Sequence, residues 1–195
     1  MKGLLVLLGS YLLGSLPTAY VVARYLKGFD IRRRGSGNIG ATNAFRTMGT
    51  GPGLAVLAVD VLKGTIPVLL GRAVGGDWMA VLAGMAAMAG HNWSVFLAFQ
   101  GGRGVATAAG VFLGLAPYAL FWAFLVWLLV LLITRYVSLS SVVAAASAPV
   151  ILLLLRGPLP YFLFTLVAAG IIIYRHRPNI KRLLAGREPK IGERS

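Results

Sequence analysis

The stretch RRRGSGNIGATN, Arg32 to Asn43, spells G-x-G-x-x-G through Gly35, Gly37 and Gly40. Its reading decides between an α/β nucleotide-binding fold and something else. A dinucleotide turn follows a buried strand and opens a helix inside a parallel βαβ unit. The residues before Gly35 are Phe29-Asp30-Ile31-Arg32-Arg33-Arg34, which make no buried strand. Asp60 follows Gly40 by 20 residues, where a ribose-binding acid would be sought, but it sits inside the apolar run 54–70 and at no strand end. The nucleotide-binding reading fails.

Outward from that loop the chain is apolar. Of 195 residues 58% are hydrophobic and only 12% charged, about half the charged share of a soluble domain, roughly 25%. A membrane helix needs about 20 mostly apolar residues. Residues 3–23, 53–71, 78–99 and 117–134 meet that length, and 139–155 and 160–174 are shorter but sufficient. Residues 104–116 form a short or partly re-entrant helix ended by the Ala116-Pro117 break. The fold class expected is all-α, a polytopic membrane helix bundle with seven predicted transmembrane helices.

Charge sets the expected orientation. Arg24, Lys27, Arg32, Arg33, Arg34 and Arg46 lie in the first connection, Arg103 and Arg135 in the third and fifth. Seven more basic residues run from Arg175 to Arg194, whereas the other side holds only Lys2, Arg72 and Arg156. Basic residues mark cytoplasmic loops, so the N terminus is placed outside and the C terminus in the cytoplasm. Lys2 and the leucine-rich start could also suit a signal peptide, but the apolar run is long and the rest of the chain is membrane protein, which favours an uncleaved first span. The net charge of +14 suits anionic lipid head groups, worth about 1 kcal/mol per basic residue. Nucleic acid is excluded because no aromatic-rich soluble platform accompanies the charge. With zero cysteines, disulfides, zinc-thiolate sites and thiol nucleophiles drop out.

Three polar clusters exceed what topology requires. In the first, Ser36, Asn38, Thr42 and Asn43 add donors to a glycine turn whose amides could converge on an anion. Thr42 or Asn43 would cap a short helix that Gly49 stops. In the second, Gly101, Gly102 and Gly104 flank Arg103, ten residues after Gly90-His91-Asn92. The short helix beginning at Gly104 would point its positive end to the cytoplasmic side. In the third, His176 and Asn179 open a basic amphipathic helix ended by Gly186, of the kind that lies in the membrane interface. Asp60 and Lys63, three apart on one helical face, read as an internal ion pair or as substrate-orienting groups. The five acids, Asp30, Asp60, Asp77, Glu188 and Glu193, are scattered, so no carboxylate cluster holds a metal and no cofactor is expected. The basic, glycine-rich loops suit phosphorylated or carboxylated ligands.

These clusters resemble one family. G-S-G-N-I-G-A-T-N at 35–43 with Arg46 after it, D-x-x-K-G at 60–64, G-H at 90–91, G-G-x-G-V-A-T at 101–107, Y-V-S-L-x-S at 136–141 and H-R-x-N-I-x-R-L-x-x-G-x-E at 176–188 are similar to the bacterial acyl-phosphate:glycerol-3-phosphate acyltransferases, the PlsY family. The resemblance spans essentially the whole chain. It implies a single integral membrane acyltransferase domain over 1–195, with cytoplasmic active-site loops near 30–50, 100–107 and 175–190, in the bacterial inner membrane. It implies transfer of a fatty acyl group from acyl phosphate to the 1-hydroxyl of glycerol 3-phosphate, giving lysophosphatidate and phosphate, by a monomer among membrane lipids. The H-x-x-x-x-D signature of unrelated acyltransferases is absent, since Phe96 follows His91 by five and Lys181 follows His176 by five.

The resemblance assigns Ser36, Arg46, His176 and Asn179 to catalysis. It assigns Gly37, Asn38, Gly40, Thr42, Asn43, Lys63, Gly101, Gly102, Arg103, Gly104 and Ser141 to substrate binding. Glu188 is expected to pair with an arginine. Two departures stand out: Arg103 occupies a position where the family has lysine, and Ser94 one where it has proline. Arginine keeps the charge and adds a planar fork. A transporter of phosphorylated metabolites is the competing class, but it needs a polar path to an outer side that offers mainly Lys2, Arg72 and Arg156.

Overall fold

The structure is a computed structural model that describes residues 1–193; Arg194, counted above among the basic residues of the tail, lies outside them. Among the described residues every regular element is helical. The chain divides into two compact units, Met1–Leu115 and Ala116–Ser195.

The first unit begins with α1, Lys2–Ser15, and α2, Thr18–Lys27. The span expected over 3–23 lies within one apolar stretch, Lys2–Lys27, whose helix is interrupted at Leu16-Pro17. Proline disfavours helical geometry in the residue before it, and Leu16 is extended, at φ −55° and ψ 117°. After a short 3₁₀ turn, Ile31–Arg33, comes α3, Ala41–Met48. Its N-cap is Gly40 rather than Thr42 or Asn43, and no side chain caps it; Gly49 ends it as expected. Ile31, Ile39, Ala44 and Met48 pack with Ala19, Ala23, Val56 and Leu97 in one small apolar core. That core fixes the glycine loop to the helices on either side.

Helix α4 runs Thr50–Asn92, 43 residues. A straight helix of that length would reach about 65 Å, roughly twice the hydrocarbon core of a bilayer. It folds back instead at Gly75 and Gly76, whose backbones are not helical. Gly76 sits at φ +66° and ψ −156°, a region open essentially to glycine alone. Contacts on either side converge on that turn. A Cβ on Gly71 would meet Ala80 Cα at 2.9 Å, one on Gly84 would meet Val68 Cγ2 at 3.2 Å, and Asp60 faces His91 at 4.0 Å. The two arms are therefore an antiparallel hairpin. Arg72 secures its tip, pairing with Asp77 at 3.6 Å and donating to the Gly114 carbonyl at 2.9 Å.

The hairpin packs on α5, Val105–Leu115, through absent side chains. A Cβ on Gly64 would press on Thr107 and Val111 backbone, and one on Gly110 would strike the Val61 carbonyl. Apolar surface supplies little association energy in lipid, so helices there gain from close backbone approach at small residues.

The second unit comprises α6, Pro117–Thr134, α7, Val137–Leu154, α8, Leu159–Arg175, and α9, Arg177–Leu184. Along α6 Ala119 alone is buried, and Phe121, Trp122, Leu129 and Ile133 face outward. A helix apolar on every side suits hydrocarbon surroundings. Four stretches are long and apolar enough to cross a membrane: Lys2–Lys27, Thr50–Leu97, Pro117–Thr134 and Val137–Leu154. Leu159–Arg175 with Arg177–Leu184, bent by 57°, makes a fifth if counted as one. The difference from seven has two sources. The predicted spans 53–71 and 78–99 lie on the one folded-back α4, and α5 is only 11 residues long.

Gly110→Val should lower stability by about 1–3 kcal/mol through overpacking, read by thermal unfolding in detergent micelles. Gly170→Ala, where nothing lies within 4 Å of the added methyl, should leave the transition unchanged or slightly higher. Equal behaviour of the two variants would contradict backbone-to-backbone packing at α5.

Candidate functional site

Asn43 organises the glycine loop. It is fully buried, on the first turn of α3, with its side chain turned back toward the preceding chain. Its Oδ1 accepts from the Ser36 amide at 2.9 Å, and its Nδ2 donates to the carbonyls of Asn38 at 2.9 Å and Arg34 at 3.1 Å. The Gly37 amide donates to the Arg34 carbonyl at 3.0 Å. Two amides that the pattern suggested for an anion thus close the loop on itself. What remains directed outward is the start of α3. The Ser36 and Thr42 side chains are exposed and Arg46 half-buried, and Thr42 and Arg46 share one helical face four residues apart.

The arginines before the loop have separate tasks. Arg32 grips Asp30, Nη2 to Oδ2 at 2.7 Å, and lies over the Tyr20 ring at 5.1 Å. The Arg32 guanidinium holds the Asp30 carboxyl down at about 2 and is itself raised by the pairing. Arg34 lies over the Phe29 ring at 5.4 Å. Arg32 is thereby committed to the loop's own structure.

Loop 101–104 lies across the end of α4. The Gly102 amide donates to the His91 carbonyl at 2.9 Å, and Gly102 and Gly104 are buried while Arg103 is half-buried. Ser94, at the position expected to hold proline, donates its hydroxyl to the Ser15 carbonyl at 2.5 Å and accepts the Leu97 and Phe99 amides. The turn therefore forms without proline. Lys63 points inward: it is 2% exposed, 2.8 Å from Asp60 and 3.0 Å from the Leu16 carbonyl. The internal ion pair is the arrangement found, and the structure does not bring Lys63 to the loop surface.

In the second unit His176 and Asn179 open α9, both 3% exposed. His176 Nδ1 lies 2.8 Å from the Ile172 carbonyl. A carbonyl can only accept, so Nδ1 carries the hydrogen of this bond. Asn179 Nδ2 donates to Glu188 Oε1 at 2.6 Å, and Glu188 Oε2 receives Arg182 Nε at 2.7 Å. Burial pushes the Glu188 carboxyl upward, but the hydrogen bonds from Asn179 and Arg182 and the arginine's charge pull the other way, and the net displacement is downward. Glu188 pairs with an arginine, as expected. Ser141 donates to the Val137 carbonyl at 2.8 Å and accepts from Trp127 Nε1 at 3.3 Å.

Residues that sequence reasoning passed over are the scaffolding ones. The organising role of Asn43, the seat formed by His91 and Asn92, and the Glu188–Asn179 bond each join positions across a loop, where no helical periodicity applies. Composition signalled only that polar residues stood there.

A family model described as glycerol-3-phosphate acyltransferase matches residues 4–186. The chain belongs to the glycerol-3-phosphate acyltransferase family. Glycerol-3-phosphate acyltransferase 2 of Moorella thermoacetica is 66% identical over 98% of this chain and 99% of its own. The glycerol-3-phosphate acyltransferase of Desulforudis audaxviator is 53% identical over 95% and 93%. Crystal structures of PlsY (YgiH), an integral membrane glycerol 3-phosphate acyltransferase, superpose with TM-scores of 0.94 for its glycerol 3-phosphate form and 0.92 for its lysophosphatidic acid form. Both are 43% identical over 98% of this chain and 96% of theirs. This protein is therefore a PlsY-type integral membrane acyltransferase.

Two outcomes test the geometry. Asn43→Asp keeps the acceptor for the Ser36 amide but removes the donor to the carbonyls of Ile31, Arg34 and Asn38. It should cost about 1–3 kcal/mol of local stability, seen as faster hydrogen exchange over residues 34–40. The Glu188 carboxyl titrates lower folded than unfolded, so its stabilisation is present above the ordinary value of 4.5 and is lost as pH falls through the folded value. The thermal-unfolding gap between wild type and Glu188→Gln should be widest near neutrality and close on acidification.

Proposed function

We propose that the chain transfers a fatty acyl group from acyl phosphate to the 1-hydroxyl of glycerol 3-phosphate, yielding lysophosphatidate and inorganic phosphate. The observation that carries this is the likeness across 98% of the chain to PlsY, which was crystallised in glycerol 3-phosphate and lysophosphatidic acid forms. The hydroxyl oxygen attacks the acyl carbonyl carbon, and the bond from that carbon to the phosphate oxygen breaks. The leaving phosphate takes the electron pair, and the hydroxyl proton passes to a phosphate oxygen or to Nε2 of His176. Acyl phosphate is a mixed anhydride with a good leaving group, so no protein nucleophile is needed. Positioning the two substrates accounts for roughly 7–11 kcal/mol of the barrier.

Ser36, Arg46, His176 and Asn179 act on the reacting groups. Gly37, Asn38, Gly40, Thr42 and Asn43 shape the acyl-phosphate pocket. Gly101, Gly102, Arg103 and Gly104 receive a substrate phosphate, with Ser141 among the binding residues. His176, with Nδ1 held by a carbonyl, presents an acceptor nitrogen suited to taking a proton or orienting the hydroxyl. Lys63 acts through its buried partners.

Both units belong to one acyltransferase domain, a reading supported by a family match that runs across the Leu115–Ala116 boundary. The chain crosses the membrane seven times, with its N terminus outside and its C terminus and catalytic loops in the cytoplasm. That reading counts the two arms of α4 separately, includes α5, and follows the alternation of basic loops. The bacterial inner membrane is the location, and the monomer is the working unit.

Purified protein in detergent or lipid, given glycerol 3-phosphate and either palmitoyl phosphate or palmitoyl-CoA, tests the donor. Matched lysophosphatidate and phosphate should form from palmitoyl phosphate alone, and Arg46→Ala should reduce the rate about 100-fold or more. Product from palmitoyl-CoA would refute the donor assignment while leaving the acyltransferase intact.

A further inference from the structure

His91 is 4% and Asn92 0% exposed, at the end of α4. Three glycines of loop 101–104 rest on them. A Cβ on Gly102 would fall on the His91 ring, 2.8 Å from Cε1 and 3.0 Å from Cδ2. One on Gly101 would strike the His91 and Asn92 carbonyls, and one on Gly104 would stand 3.0 Å from Asn92 Oδ1. Gly101 and Gly102 have no positive φ. They are required because the loop lies in direct contact with this seat, and any side chain would lift it.

The seat is held from below. His91 Nδ1 lies 4.0 Å from Asp60 Oδ1 on the opposite arm, and that carboxylate is 2.8 Å from the Lys63 ammonium. Lys63 in turn donates to the carbonyl of Leu16, at the break between α1 and α2. A buried polar cluster therefore lies between the end of α1, the two hairpin arms and the loop that carries Arg103. Packing alone does not call for it. Ionised groups at this depth are costly, and apolar residues of similar volume would hold two helices together as well or better. Asp60 and Lys63 stand three apart on one arm, Lys63 donates to the end of α1 and His91 approaches Asp60 from the other arm. The cluster therefore favours one register of α1 and the two arms, and with it the height of the loop.

We propose that His91, beside Asp60 and directly beneath Gly102, is a positioning residue for acyl transfer, placing Arg103 and the first turn of α5 where a substrate phosphate is received. The inference rests on the reading that Arg103 binds substrate phosphate.

The experiment is a double-mutant cycle on the full-length protein in detergent, with KM for each substrate, kcat and thermal unfolding measured for His91→Gln, Arg103→Ala and the pair. Arg103→Ala should raise KM for one phosphate substrate. His91→Gln should raise KM for that same substrate about tenfold, with little change in kcat. The pair should do no worse than Arg103→Ala alone, because residues acting as a unit are non-additive. Asp60→Asn should reproduce the His91→Gln effect, and it reports independently if His91→Gln fails to fold. Effects that multiply in the pair, or a stability loss with both KM values unchanged, would overturn the positioning role. If Arg103→Ala itself leaves both KM values at wild type, the reading of the loop as a phosphate site fails, and this inference fails with it.

Discussion

Within the first unit everything depends on how closely the α4 hairpin approaches its neighbours. In hydrocarbon, apolar side chains gain nothing by leaving lipid for each other, so association relies on van der Waals contact and polar bonds between backbones brought near. Gly64 and Gly110 bring α5 against the first arm, and Gly14 and Gly90 bring α1 against the second. Arms packed this tightly leave little room for the side chains at their centre, and those are polar: Asp60, Lys63 and His91, each at most 4% exposed. The glycines and the ion cluster are one design. Close approach excludes lipid and water, and exclusion makes each polar contact position-specific.

The two polar loops of that unit exploit the hairpin differently. Loop 101–104 is laid on the end of the hairpin and takes its place from it, with the Gly102 amide donating to the His91 carbonyl. The loop between α2 and α3 is self-supporting. Asn43 ties it from within, Asp30 and Arg32 brace its entry, and its apolar residues anchor it to α2 and α4. The second unit shows a third solution, in which Glu188 accepts from Asn179 and Arg182 on the short helix α9. In all three the groups assigned to chemistry are few and those that hold them still are many. That balance suits the proposed reaction, in which alignment of the substrates rather than a protein nucleophile lowers the barrier.

Sequence by itself determined the class of protein and most element ends. Hydrophobic run length dictates membrane helices because lipid satisfies no backbone group. Local backbone chemistry dictated where several stop: Pro117 starts α6, Gly49 ends α3, and Gly186 follows the last turn of α9. The motifs identified the family, since glycine and hydroxyl residues at fixed spacing report loops whose geometry is local. Pro17 carried the break in the first span too, but uninterrupted hydrophobicity masked it. The tertiary structure alone decided what depends on residues far apart in the chain. That Lys63 reaches the Leu16 carbonyl, and that Gly101 and Gly102 are glycine because His91 lies beneath them, are consequences of packing, whereas the Asp60–Lys63 pair was already legible in the helical spacing. No periodicity encodes a contact between Asp60 and His91; it exists because Gly76 turns the chain back on itself.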